Sequence, residues 1–135
     1  MCLKYPAVHL TAAMIEAVAI GFADYVSRGG LTMHACAILP QHVHMVVARH
    51  RLPIEKVADQ LRAAATRALN QAGCHPLEGY VDRQGRTPKP WADGQWKVYL
   101  DQTADIIRAI NYVEQNPEKE GRPRQSFPFV TPFPV

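Results

Sequence analysis

The sequence predicts an α+β domain. Three observations carry this: three segments whose apolar residues recur every three or four positions, a β-branched run that turns back on itself at Pro40-Gln41, and an alternating run over 96–100. A chain of 135 residues is one domain, 1–135, on size grounds and is long enough to bury a core. An apolar fraction of 47% is that of a globular protein and excludes a disordered or fibrous chain. No apolar run reaches the roughly 20 residues of a membrane span, so no membrane partner is expected. The formal net charge of +3 is compatible with a polyanion partner without requiring one. Cys2, Cys36 and Cys74 have no CxxC spacing, and the first residues carry no signal-peptide pattern. Both point to reduced thiols in a cytoplasm.

Thr11 is placed to cap a first helix, with Leu10 and Ile15 as a hydrophobic staple. Ile15, Val18, Phe22 and Tyr25 then recur at helical spacing up to Gly29-Gly30, which predicts a core-packing helix over 12–28. Residues 31–50 read as a β-hairpin, with arms over 31–39 and 42–49 and Pro40-Gln41 as the turn. A strand has period two, so His42 and His44 project from one face while Val43, Met45 and Val47 project into a core from the other. His34 and Cys36 share a face of the first arm by the same count. They read either as further ligands or as a hydrogen-bonded histidine and a small buried thiol.

Pro53 opens a second helix over 54–72, with Ile54, Val57, Leu61, Ala64, Ala65 and Leu69 as its apolar stripe and Gly73 as its stop. Lys56, Arg62 and Arg67 decorate its other faces, either solvated or set along a phosphate backbone. Cys74-His75 lacks zinc-site spacing and reads as structural. An irregular loop follows over 78–90. Asp93-Gly94 signals a turn, and Trp96–Leu100 alternates as a strand. Trp91, Trp96 and Tyr99 are candidates for stacking on unpaired bases, with at least one tryptophan expected in the core. The third helix runs from a Thr103 cap to Pro117. Its residues Tyr112 and Asn116 lie one turn apart, at the rim of the stripe formed by Ile106, Ile110 and Val113.

Two imidazoles on one strand face suit a divalent metal, although a His-x-His pair equally serves as a solvated strand face. The ordered set is more specific. Ala37-Ile38-Leu39-Pro40-Gln41-His42-Val43-His44-Met45-Val46-Val47, then Trp96-Lys97-Val98-Tyr99-Leu100-Asp101, then Ile110-Asn111-Tyr112-Val113-Glu114-Gln115-Asn116-Pro117, together resemble the single-tyrosine HUH transposases. The likeness is greatest to the REP-associated tyrosine transposases and covers about residues 12–130. It implies an antiparallel sheet flanked by helices, of the HUH endonuclease or ferredoxin-like kind. It also implies an endonuclease that nicks single-stranded or hairpin DNA during transposition and DNA recombination.

On that resemblance Tyr112 is the nucleophile. His42, His44 and Asn116 hold Mg2+ or Mn2+, and Arg62, Arg67, Lys97 and Trp96 contact DNA. Two departures stand against it. Gln41 replaces the Asp or Asn frequent in relatives. Met1 lies about ten residues before the first helix, where relatives have a strand. The resemblance therefore implies a truncated domain with an open sheet edge that invites a homodimer, and it leaves a second expectation: a decayed or domesticated copy that binds DNA without cleaving it.

Overall fold

The computed structural model describes residues 7–92, 94–100 and 105–134. Cys2, Tyr5, Asp93, Asp101 and the expected cap Thr103 lie outside them. Helix α1 (Ala12–Gly29) starts where Thr11 Oγ1 accepts the Met14 N–H at 3.2 Å, and it ends at Gly30, whose φ of 62° is the left-handed conformation glycine adopts without strain. Strands β1 (Met33–Ile38) and β2 (Val43–Val47) form the expected hairpin, closed by the Leu39 N–H on the His42 carbonyl at 2.8 Å. Helix α2 (Ile54–Gln71) starts on Pro53, whose carbonyl accepts the N–H groups of Lys56 and Val57. Strand β3 (Trp96–Leu100) and helix α3 (Ile106–Lys119) follow.

Pro117 lies inside α3 rather than at its end. A proline in the last turn removes one donor, and its carbonyl still accepts the Glu120 and Arg122 N–H groups at 3.2 and 2.8 Å. No helix among the described residues is long and apolar enough to cross a membrane.

The sheet has the order β1-β2-β3 and is mixed, which corrects the antiparallel expectation. β1 and β2 are antiparallel, whereas β2 and β3 are parallel in the register Val43↔Trp96 to Val47↔Leu100. The reason lies in the connection. α2 and the long loop carry the chain back to the end where β2 began, and a strand–helix–strand crossover produces a parallel pair.

Alternate residues of the strands serve two cores. Met33, Cys36, Ile38, Val43, Met45, Val47 and Trp96 pack with α1 and α2, while Ala35, Ala37, Val46 and Tyr99 pack with Ile106, Ile110 and Val113 of α3. The domain is thus three layers: α1 and α2, the sheet, then α3. A bulge between Met33 and Ala35 breaks the strand parity. His34 consequently packs on Phe133, beside the α3 core, and Cys36 enters the opposite core, so the two do not share a face.

The outer edge of β1 is covered by the chain's own tail. Thr131 donates its N–H to the Met33 carbonyl at 2.8 Å, and Val130 bridges Met33 in parallel. The Gln125 side chain accepts the Ile38 N–H at 2.9 Å and donates to the Ile38 carbonyl at 2.7 Å, standing in for a strand's peptide group.

Helices α1 and α2 cross closely because Gly21 faces Ala64 and Ala68. A Cβ at Gly21 would lie 2.7 Å from the Ala64 carbonyl oxygen and 3.1 Å from the Ala68 Cβ. Gly21→Ala is expected to destabilise by about 1–3 kcal/mol through overpacking, less the ~1 kcal/mol that alanine's helix propensity restores. A Cβ at Gly29 meets the Tyr25 ring at an ordinary 3.5 Å, so Gly29→Ala should not destabilise by this route. Urea midpoints of the two variants, measured side by side, check the contrast.

Candidate functional site

The parity of β2 decides where its histidines go. His44 lies on the α3 face, and His42, just ahead of the strand, places its ring beside it; the ring centroids are 5.9 Å apart at 85°. A third ring comes from α3, where Tyr112 lies 5.9 Å from the His44 centroid with a 31° tilt. One turn further along α3, Asn116 Nδ2 is 3.2 Å from His44 Nδ1 and 3.2 Å from the Tyr112 carbonyl. His44 and Asn116 are buried, His42 is exposed, and Tyr112 is 38% exposed. A β-strand and a helix separated by 72 residues between His44 and Asn116 thus bring four expected site residues together.

The amide of Asn116 has a defined orientation. The Tyr112 carbonyl can only accept, so Nδ2 and not Oδ1 faces inward. The second N–H of that amide then reaches His44 Nδ1, which leaves the His44 hydrogen on Nε2. Asn116 therefore acts here as the partner that orients His44. Burial first, then the charges of His42 and Lys97, push the His44 pKa down to about 4, so its imidazole is neutral at pH 7, with its one lone pair, on Nδ1, engaged by the Asn116 N–H.

His42 and His44 are the residue types a divalent cation takes, but a His44 nitrogen becomes free for one only if the Asn116 amide turns over. Two imidazoles sharing one ion at nitrogen–metal distances near 2.1 Å and ligand angles of about 90–110° have centroids about 4.6–5.4 Å apart, so the 5.9 Å between His42 and His44 must close by about half an ångström or more for both to hold one ion. An oxygen ligand from Asn116 requires its amide to turn over. Among the described residues no group of three His, Cys, Asp or Glu side chains is gathered for a metal.

Lys97 belongs to this side of the sheet. It pairs with His44 in the β2–β3 register and is exposed. Lys119 belongs here too, although its sequence position does not single it out. Its Nζ lies 4.8 Å from the Tyr112 ring centroid, and the one available signal is its place seven residues, two helical turns, after Tyr112. Tyr99 and Tyr112 line one hollow of about 620 Å³ at the outer edge of β3.

Three expected DNA contacts lie elsewhere. Arg62 and Arg67 are on α2, across the sheet from Tyr112. Arg62 is bonded to Asp59 at 3.2 Å and its guanidinium lies 5.1 Å from the Trp96 ring centroid. Trp96 is 7% exposed, with the edges of Phe22 and Trp91 against it. Its ring has no face free for a base, which corrects its assignment as a stacking platform. His34 and Cys36 both serve the fold: His34 Nδ1 lies 2.8 Å from the Thr131 carbonyl, and the Cys36 thiol is buried, which raises its pKa.

His44 gives a pH dependence whose sign follows from burial. Its folded pKa of about 4 lies below the unfolded value of 6.5. The unfolded chain binds the proton first, so stability is full above pH 6.5 and falls as pH drops toward 4, by about 3 kcal/mol in all. His75, buried and likewise lowered, acts in the same direction. Urea midpoints across this range in EDTA should fall toward acid, and His44→Gln should flatten part of the slope. An unchanged slope in the variant would assign the acid loss to other groups.

Comparison with protein-family models, with curated proteins and with solved structures finds no match to this chain.

Proposed function

We propose that this protein is a tyrosine transposase of the HUH type, a metal-dependent endonuclease that nicks and rejoins single-stranded or hairpin DNA. The observation that best supports this reading is the meeting of His42, His44, Tyr112 and Asn116 on one side of the sheet. Tyr112 is the nucleophile in this proposal. Its phenol oxygen bonds to the scissile phosphorus as the bond from phosphorus to the 3′ oxygen breaks. The phenol gives up its proton and the departing 3′ oxygen takes one up, leaving a 5′-phosphotyrosine and a free 3′-hydroxyl. Attack by another 3′-hydroxyl reverses the step, so joining needs no nucleotide cofactor.

His42 and His44 would hold Mg2+ or Mn2+ once the Asn116 amide turns over and frees a His44 nitrogen. The cation's contribution when bound is to neutralise and orient the scissile phosphate. Lys97 and Lys119 place two further positive charges on the same side for the flanking phosphates.

The test is denaturing electrophoresis after incubation with labelled single strands and hairpins from the DNA flanking the gene, with magnesium or manganese. Wild type should give a covalent protein–DNA band, and His42→Ala should lose it in the same buffer. The second reading is a copy that holds single-stranded DNA without cutting it. The Asn116 amide, turned with its NH2 to His44, favours it, since that arrangement occupies a ligand nitrogen with a hydrogen bond. Salt-sensitive binding with no covalent band for any flanking sequence would establish that second reading in place of the first.

A further inference from the structure

Across the sheet from Tyr112, two hollows of about 690 and 370 Å³ flank the Ala63–Arg67 row of α2, the larger a trough toward Lys89, Trp91 and Ala92 and the smaller toward Tyr25 and Gly29 of α1. The larger is walled by Trp91, with Arg67 and Lys89 on its rim. The smaller is walled by Tyr25. Both aromatic walls are held in place. The Trp91 indole N–H reaches Thr66 Oγ1 at 3.0 Å and the Arg62 carbonyl at 3.3 Å, and the Tyr25 hydroxyl donates to Gln60 Oε1 at 2.6 Å. Trp91 is half-buried, so part of its ring meets solvent. Arg67 and Lys89 are exposed and make no ion pair among the described residues, whereas Arg62 is paired with Asp59 and Arg28 with Asp24.

We infer that this trough is a second binding site for single-stranded nucleic acid, separate from the tyrosine cluster, with one unpaired base against Trp91 and flanking phosphates on Arg67 and Lys89. Two unpaired cations beside a fixed indole match the alternation of charge and flat apolar surface along a single strand. The larger hollow offers an indole wall for a base together with two separate cations, Arg67 and Lys89, for phosphates, which suits a strand better than a mononucleotide. A duplex hides its base faces in the stack and offers Trp91 nothing to pack on. This inference rests on the nucleic-acid reading proposed above, and it assigns the strand a separate hold on the opposite layer, where Arg62 and Trp96 are already committed to the fold.

The experiment uses full-length Tyr112→Phe protein in EDTA, so that binding is read without cleavage. Short oligothymidylate should quench tryptophan fluorescence, because Trp91 is the tryptophan with an accessible ring. Arg67→Ala with Lys89→Ala should bind at least about tenfold more weakly, with a log–log salt slope about 1.4 smaller, at ~0.7 per phosphate lost. Arg83→Ala with Arg86→Ala removes the same charge from two exposed residues that line neither hollow and should keep most of the affinity. Equal affinity in the two double variants would overturn the inference. So would equal quenching by polyglutamate, which has charge but no bases. Loss of oligothymidylate binding in the trough variant, together with failure of the wild type to form any covalent band, would sustain the trough and reject the nickase. A covalent band with no effect of the trough variant would do the reverse.

Discussion

Tyr112→Phe should abolish the covalent protein–DNA band while leaving binding intact. The substitution removes one oxygen and keeps the ring that tilts over His44 and lies beneath Lys119. The ring is 38% exposed and its packing does not depend on the hydroxyl, so the fold should not register the change beyond about 0.5 kcal/mol. The chemical loss is of another order. Deleting a covalent nucleophile costs on the order of 10⁶-fold in rate, which on a gel reads as no band.

The other tyrosines are placed for different work. The Tyr25 hydroxyl is bonded to Gln60 on the far layer, with its pKa raised by burial. Tyr80 is exposed on the loop over 78–90. Tyr5 lies outside the described residues. Tyr99 is the nearest rival, since it lines the same hollow as Tyr112. A band that survives in Tyr112→Phe and vanishes in Tyr99→Phe would move the nucleophile from α3 to β3.

The parts of the site legible in the sequence are those set by local period. Strand parity puts His42 and His44 on one side, and helical spacing puts Tyr112 and Asn116 together, because each depends on a few consecutive bonds. The helix starts at Thr11 and Pro53 are legible for the same reason. What the local period does not carry is which strands pair and which face a neighbour covers. The run Trp96-Lys97-Val98-Tyr99-Leu100 alternates either way. That Trp96 and not Tyr99 enters the α1–α2 core follows from the parallel register on β2. That register in turn places Lys97 beside His44. The bulge at His34 defeats simple parity in β1, and nothing in Met33-His34-Ala35 announces it. The tail is the largest gap. Gln125, Phe127, Phe129 and Val130 show no periodicity, yet they cover the β1 edge and reach the core.

Phe22→Ala is expected to cost more stability than any surface change in this chain. Phe22 is fully buried and is the point where three separate segments meet. Its ring meets Trp96 of β3 edge-on at 5.4 Å and Phe129 of the tail edge-on at 6.2 Å. Truncation leaves a cavity under both aromatics, and large-to-small changes of this kind cost about 3–5 kcal/mol. Total stabilities of about 5–15 kcal/mol make that a third or more of the whole. Nothing else on α1 replaces the ring, since Gly21 beside it must stay small against Ala64.

The expected result is a large fall in the urea midpoint with an unchanged slope, accompanied by a red shift of tryptophan emission as water reaches Trp96. Ile20→Ala, two residues away on the same helix but 68% exposed, should shift stability by no more than about 0.5 kcal/mol. Phe22→Ala as mild as Ile20→Ala would mean that α1, β3 and the tail do not meet at this ring. Burial is the main reason His44 stays neutral, and the neighbouring charges of His42 and of Lys97, which follows Trp96 in β3, add to it, so loosening this junction should weaken that hold. The His44 imidazole signals, followed by NMR in EDTA, should then titrate at a higher pH in Phe22→Ala than in wild type, with Ile20→Ala unchanged.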